Sequence, residues 1–197
     1  MAVTMESIKE LRALTGAGMM DVKKTLEETG GDIEQAAALL RERGIAKAAK
    51  KADREAKEGF VGSYVHHNGK IAVIVELNCE TDFVARNEQF QDLAKNIAIH
   101  IAMAAPQAVS REQLDPAVVE AEREALRAQA LEEGKPEAIV DKMVEGRLGK
   151  FFAETCLLEQ PYVKDDKKTV EQLIKESIAT IGENIQIGAF HRIAIGE

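Results

Sequence analysis

The chain has 197 residues, of which 45% are hydrophobic, 30% charged and only 4% aromatic, with no tryptophan and a formal net charge of -8. That length admits one large domain or two small ones, with a core built mainly from Ala, Ile, Leu and Val, and the negative charge disfavours direct nucleic-acid binding. No apolar run nears the ~20 residues of a bilayer span. The start, Met1-Ala2-Val3-Thr4-Met5-Glu6, lacks the basic-then-apolar order of a signal peptide, and Cys79 and Cys156 have no metal-type spacing, so a cytoplasmic, reducing setting is expected.

Thr4 can cap a first helix with Met5, Ile8 and Leu11 on one broad face. Two glycines in Thr15-Gly16-Ala17-Gly18 favour a turn. Met19-Met20-Asp21 then opens a second helix, with Asp21 suited to the positive end of the helix dipole. Gly30-Gly31 stops it, and Asp32 with Gln35 resembles a capping box for a third helix. Ile33, Ala36, Ala37 and Leu40 form the stripe of that helix, and Gly44 is expected to close it. A three-helix unit this small buries little core and suits docking. Met adapts to partners, and of Met19 and Met20 one is expected in the core and one at a docking surface. Lys23 is equally well read as a docking contact or a solvated helix charge.

Residues 45–58 read as a charged, partly helical linker. Lys47, Lys50, Lys51, Arg54 and Lys57 are interleaved with Asp53, Glu55 and Glu58, and no aromatic is present to stack on bases, so a solvated helix is preferred over a nucleic-acid contact. Phe60 to His66 has strand propensity, Asn68-Gly69 signals a type I′ hairpin, and Ile71 to Leu77 is the return strand. Both faces of that strand are apolar, which places it centrally in its sheet. Asn78 to Thr81 ends it. Thr81 or Asp82 caps a short helical turn, and Asn87 caps a longer helix with Phe90, Leu93, Ala94, Ile97 and Ile101 on its stripe, ended near Pro106. Phe83 therefore sits on a turn between a strand and a helix. The flanking strand and helix hold enough Ile, Leu and Val to close a core without it, which favours presentation to a partner.

Further on, Ser110 with Gln113 suggests a capping box, and Asp115-Pro116 starts a helix. Gly134-Lys135-Pro136 joins it to the next as an αα-hairpin over 116–154. Thr169 with Gln172 caps a further helix stopped by Gly182. Ile185 to Ile195 is a last strand, whose alternation breaks near Gly188, where a bulge or bend is expected.

The stretches Leu11-Arg12-Ala13-Leu14-Thr15-Gly16-Ala17-Gly18-Met19-Met20-Asp21-Val22-Lys23-Lys24 and Glu76-Leu77-Asn78-Cys79-Glu80-Thr81-Asp82-Phe83-Val84-Ala85-Arg86-Asn87 resemble signatures of bacterial translation elongation factor Ts. The likeness continues through Leu157-Leu158-Glu159-Gln160-Pro161 and Gly182-Glu183-Asn184. It implies an α+β fold: a three-helix, UBA-like bundle over 1–44, a linker over 45–58, and a core domain over 59–197 with a small antiparallel sheet, flanking helices and the helical hairpin. It implies a guanine-nucleotide exchange factor for elongation factor Tu. By the match to the motif, Thr81, Asp82, Phe83 and Val84 would dislodge the partner's Mg²⁺, with Phe83 as the wedge and Asp82 either bonding the partner or capping the turn. Met19, Met20 and Lys23 would dock the bundle. Larger members carry two related halves of the core, so a second copy of this chain is expected to supply the missing half as a homodimer.

Rival chemistries find little support. Gly62 and Gly69 are too far apart for a P-loop, and Ile71 stands where a Mg²⁺-binding hydroxyl would be needed. Adjacent His66 and His67 are read as pointing to opposite faces of a strand, and His66, His67, His100 and His191 as ordinary surface or sheet residues. Cys79 reads as a packing residue. No catalytic residue, cofactor or metal of its own is expected. The alternative is a non-exchange scaffold or chaperone-like partner of a GTPase, which calls for a broad apolar groove in place of one Phe on a stiff turn.

Overall fold

The computed structural model describes residues 3–196. The order of elements is α1 (Met5–Thr15), α2 (Met19–Glu28), α3 (Ile33–Ala49), β1 (Glu58–Val65), β2 (Ile71–Cys79), α4 (Asp82–Ala85), α5 (Glu88–Ala104), α6 (Pro116–Glu132), α7 (Glu137–Thr155), β3 (Pro161–Tyr162), β4 (Asp165–Thr169), α8 (Val170–Ile181) and β5 (Gln186–Ala194). This is the expected α+β class. The chain forms two compact units. One contains the residues up to Phe60, Leu77–Gln91 and Gln172–Gln186; the other contains Val61–Glu76, Asp92–Glu171 and the residues from Ile187.

In the first unit, Thr4 caps α1 through a reciprocal box with Ser7, and Asp32 caps α3 by accepting the Gln35 N–H at 2.9 Å. Ile8, Leu11, Val22, Leu26, Ala36 and Leu40 form the small core of the three helices. Gly44 does not close α3, which continues to Ala49. A Cβ at Gly44 would lie 3.1 Å from the Ala179 Cβ on α8, so this glycine answers to a close helix approach. Arg41 of α3 also pairs with Glu176 of α8 at 3.1 Å. The segment after Ala49, expected to be solvated, is tied down. Lys51 donates to the Gly182 carbonyl, and the Ala52 and Arg54 carbonyls accept from the Asn184 amide at 3.2 and 2.7 Å.

The second unit holds most of the three-stranded sheet, in the order β1-β2-β5, so β2 is central as expected. Val73, Val75, Leu77 and Cys79 of β2 are its buried alternates; the strand runs two residues beyond its expected end at Leu77 because Cys79 continues the apolar side. The β1–β2 turn is not type I′. Gly69 has φ 68° but Asn68 is not in the left-handed region, and the Gly69 N–H closes on the His66 carbonyl at 2.8 Å. A type I turn followed by a left-handed glycine accommodates the longer loop. Along β5 the less exposed side switches parity between Ile187 and Gly188, the expected break.

Helix α5 buries its whole predicted stripe, Phe90, Leu93, Ala94, Ile97 and Ile101. It ends at Ala104, followed by Ala105 with φ 45° just before Pro106. Ser110 does not form a capping box. Its hydroxyl turns to the Glu112 carboxylate, and only a 3₁₀ turn, Arg111–Gln113, follows. Asp115 does cap α6, accepting the Ala117 N–H at 2.9 Å. Helices α6 and α7 pack through Ala130, Val140, Val144 and Leu148, flanked by the ion pairs Arg123–Glu145, Arg127–Asp141 and Arg147–Glu133. The short β3–β4 ladder, pairing Pro161 with Thr169 and Tyr162 with Asp165, was not signalled, because Asp165-Asp166-Lys167-Lys168 lacks strand-forming residues.

Candidate functional site

The site lies in the first unit, where β2 gives way to α4. Thr81 is the N-cap of α4: its hydroxyl accepts the Val84 N–H at 3.4 Å. That settles which residue caps the turn. Asp82 does not cap it; it lies in the first turn and pairs with Arg86 at 3.0 Å. Phe83 projects from this turn with 82% of its surface open. What distinguishes the ring is its mount: it stands open on a capped turn whose backbone is held in place. Val84 is half-buried and Ala85 is buried, so Phe83 alone of the turn's apolar residues points fully outward.

The turn is held from several directions. The Cys79 thiol donates to the Thr81 carbonyl at 3.2 Å. Burial, followed by the nearby Glu183 carboxylate, raises the Cys79 pKa above its ordinary value and keeps the thiol protonated as a donor. Gln91 of α5 donates to the Ala85 carbonyl at 3.2 Å, closing the far end of α4. Glu183 accepts from the Glu80 and Thr81 N–H groups, 3.0 Å each, and from the Thr81 hydroxyl at 2.7 Å. A reading by local spacing did not assign Glu183 a role, since it stands 102 residues from Thr81 in sequence.

The second candidate patch lies on the three-helix bundle. Met19 and Met20, of which one was expected in the core, are both exposed, at 50% and 78%. Val22 and Leu26 fill the core side of α2, so the two methionines fall outside the buried stripe. Lys23 lies beside Glu27 at 3.8 Å, both side chains more than half exposed. Leu14, also exposed, lies in the last turn of α1, before the 15–18 turn, and had not been singled out. Its signal was its place off the Ile8–Leu11–Thr15 line that faces inward.

His191 lies exposed in β5 as a sheet residue, as expected, but two other histidine readings are corrected. His66 and His67 do not lie on opposite faces of a strand. They follow β1 in the turn with ring centroids 4.2 Å apart, and the Tyr64 hydroxyl engages His66 Nδ1 at 2.9 Å. His100 is a buried residue of α5. Its Nδ1 accepts the Val163 N–H at 3.3 Å, so Nε2 carries the proton toward Gln160 Oε1 at 2.9 Å. Cys79 and Cys156 are both buried and free. Among the described residues no group of three or more His, Cys, Asp or Glu is placed to hold a metal, and no helix is long and apolar enough to cross a membrane. The arrangement suits contact with another macromolecule through a single aromatic on a stiff mount.

Comparison with known proteins agrees in kind. The family model described as Elongation factor TS matches residues 1–197. Elongation factor Ts of Nitratidesulfovibrio vulgaris is 58% identical over 196 residues, covering 100% of this chain and 98% of that one. The chain is also 59% identical over 197 residues to elongation factor Ts of Geobacter metallireducens, covering 100% of this chain and 91% of the relative. Elongation factor Ts of Acetivibrio thermocellus is 59% identical over 195 residues, 99% of this chain and 91% of that one.

Proposed function

This chain belongs to the elongation factor Ts family and has a role in translation elongation; from that premise we propose that it is a guanine-nucleotide exchange factor for the GTPase elongation factor Tu. The observation that carries the reading is Phe83, almost fully exposed on a capped turn between β2 and α5. Buried in a partner, the ring excludes water and displaces neighbouring side chains without any bond chemistry of its own. Directed at side chains that support the partner's Mg²⁺, it loosens the ion. Loss of Mg²⁺ removes the charge that offsets the nucleotide phosphates, and GDP leaves. The coupling is reciprocal: a factor that weakens GDP binding is itself bound more weakly when GDP is present.

Thr81 and Val84 set the turn, Phe83 is the wedge, and Asp82 shares its carboxylate between Arg86 and the partner. Met19, Met20 and Lys23, together with the exposed Leu14 of α1, dock the bundle on the partner. The chain works in the cytoplasm with no cofactor, membrane or direct nucleic-acid contact, and it forms a homodimer. Val61 and Val65 of β1, Ile74 of β2 and Ile193 of β5 are exposed alternates of three neighbouring strands, and a second copy covers that apolar sheet face. The test is release of labelled GDP from elongation factor Tu with and without the chain. Acceleration that saturates with chain concentration is expected. No acceleration at saturating concentration refutes the proposal.

A further inference from the structure

We infer that Glu183 is the positioning residue that holds the Thr81–Val84 turn in its working geometry, an inference that rests on the exchange reading above. Both carboxylate oxygens of Glu183 are directed at one short stretch. Oε2 accepts the backbone N–H groups of Glu80 and Thr81, and Oε1 accepts the Thr81 hydroxyl. Hydrogen bonds to an ionised acceptor are about twice as strong as neutral ones. The same hydroxyl oxygen accepts the Val84 N–H, so the bonds run without a break from Glu183 to the turn that carries Phe83.

The hold is reciprocal. Glu183 accepts the Glu80 N–H, while the Glu80 side chain accepts the Asn184 N–H at 2.7 Å. Arg54, 3.5 Å from Glu80, offsets the second negative charge. Asn184 is buried and fixes the base of the arrangement through the Ala52 and Arg54 carbonyls, and Lys51 reaches the Gly182 carbonyl. A four-residue helix has no stability of its own, because nucleating a helical turn is unfavourable. An exposed wedge on a loose turn loses binding energy to ordering, and a small misplacement weakens its action. Glu183 supplies the order before the partner arrives.

The experiment measures GDP release from the partner GTPase against factor concentration, for the wild-type chain, Glu183→Gln, Phe83→Ala and the double variant. Glu183→Gln keeps the size but replaces one acceptor oxygen with a donor. The maximal release rate is expected to fall about ten- to a hundredfold, with the half-saturating concentration changing far less. In the Phe83→Ala background the same substitution is expected to add nothing, because both act through one ring. Thr81→Val, which removes the hydroxyl link and leaves Glu183 in place, is expected to lower the maximal rate in the same way. If the wild-type chain does not accelerate release, the exchange reading falls and the clamp with it. If the wild type accelerates release and Glu183→Gln matches its maximal rate, or if the loss adds fully to that of Phe83→Ala, the clamp alone is overturned.

Discussion

Truncating Phe83 to alanine separates a wedge from a core residue by its two different costs. With 82% of the residue exposed, only about a fifth of a ring of roughly 200 Å² is buried in the free chain. At about 25 cal/mol per Å² that burial contributes ~1 kcal/mol at most, and alanine's better helix propensity returns roughly half of it. The thermal midpoint is therefore expected to move by less than about 3 °C. In a complex, the remaining ~160 Å² sets an upper bound of ~4 kcal/mol on what the ring can contribute. That corresponds to about a thousandfold in rate if all of it acts in the exchange step. A loss between tenfold and a thousandfold in the maximal rate of GDP release, with an unchanged melting curve, is the expected outcome. Stopped-flow release of labelled GDP together with a circular dichroism melt reads both quantities. Wild-type release by Phe83→Ala, or a melting point lowered by about 10 °C or more, would refute the reasoning.

Gly44→Val is expected to lower stability by about 1–3 kcal/mol, since its Cβ alone would stand 3.1 Å from Ala179; a denaturant melt checks this. His100 is held neutral, its pKa lowered by burial and only partly restored by its Gln160 hydrogen bond. Its contribution to stability is complete above the unfolded value near pH 6.5 and is lost as pH falls below it toward the folded value, because the unfolded chain takes up the proton first. Between those limits stability is expected to fall by up to about 1.4 kcal/mol per pH unit, and His100→Leu is expected to flatten that part of a stability–pH profile. Ile74→Glu places a charge on the exposed sheet face and is expected to shift the chain toward monomer in equilibrium sedimentation at micromolar concentration. Arg127→Ala removes an exposed ion pair with Asp141 and is expected to cost under about 1 kcal/mol by thermal melt.

The parts legible in the sequence were those written in local chemistry. Thr4, Asp32, Thr81 and Asp115 cap helices because each side-chain oxygen needs only the next turn's N–H groups. The α5 stripe and the central place of β2 follow from apolar period alone. Where distant segments meet, local signals misled. Gly44 has the composition of a stop, yet it is a contact surface for a helix that arrives 135 residues later (179 against 44). One miss is local: Ser110 has the spacing of a cap, but its hydroxyl turns to Glu112 in the same segment. At the site, the motif located Phe83, and the exposure of the ring follows from local sequence. The brace behind it does not, since Glu183 lies after α8 and only the fold brings it to Thr81.

The base of the helical hairpin has a consequence of a different order. The Gln107 N–H reaches the Thr155 carbonyl at 2.8 Å, and the Leu157 and Leu158 N–H groups reach the Ala108 and Val109 carbonyls at 2.9 and 3.1 Å. The chain thus departs into α6 and returns from α7 at one stitched seam, with Ala108 bridged to Cys156. Leu114, Val119, Phe151 and Phe152 pack beside Ala108 and Cys156 at the base, and the rest of the two helices extends beyond as an arm. Removing whole turns in matched amounts from both helices shortens the reach of the arm while its point of attachment stays closed, so its length can be altered independently of the fold that carries Phe83.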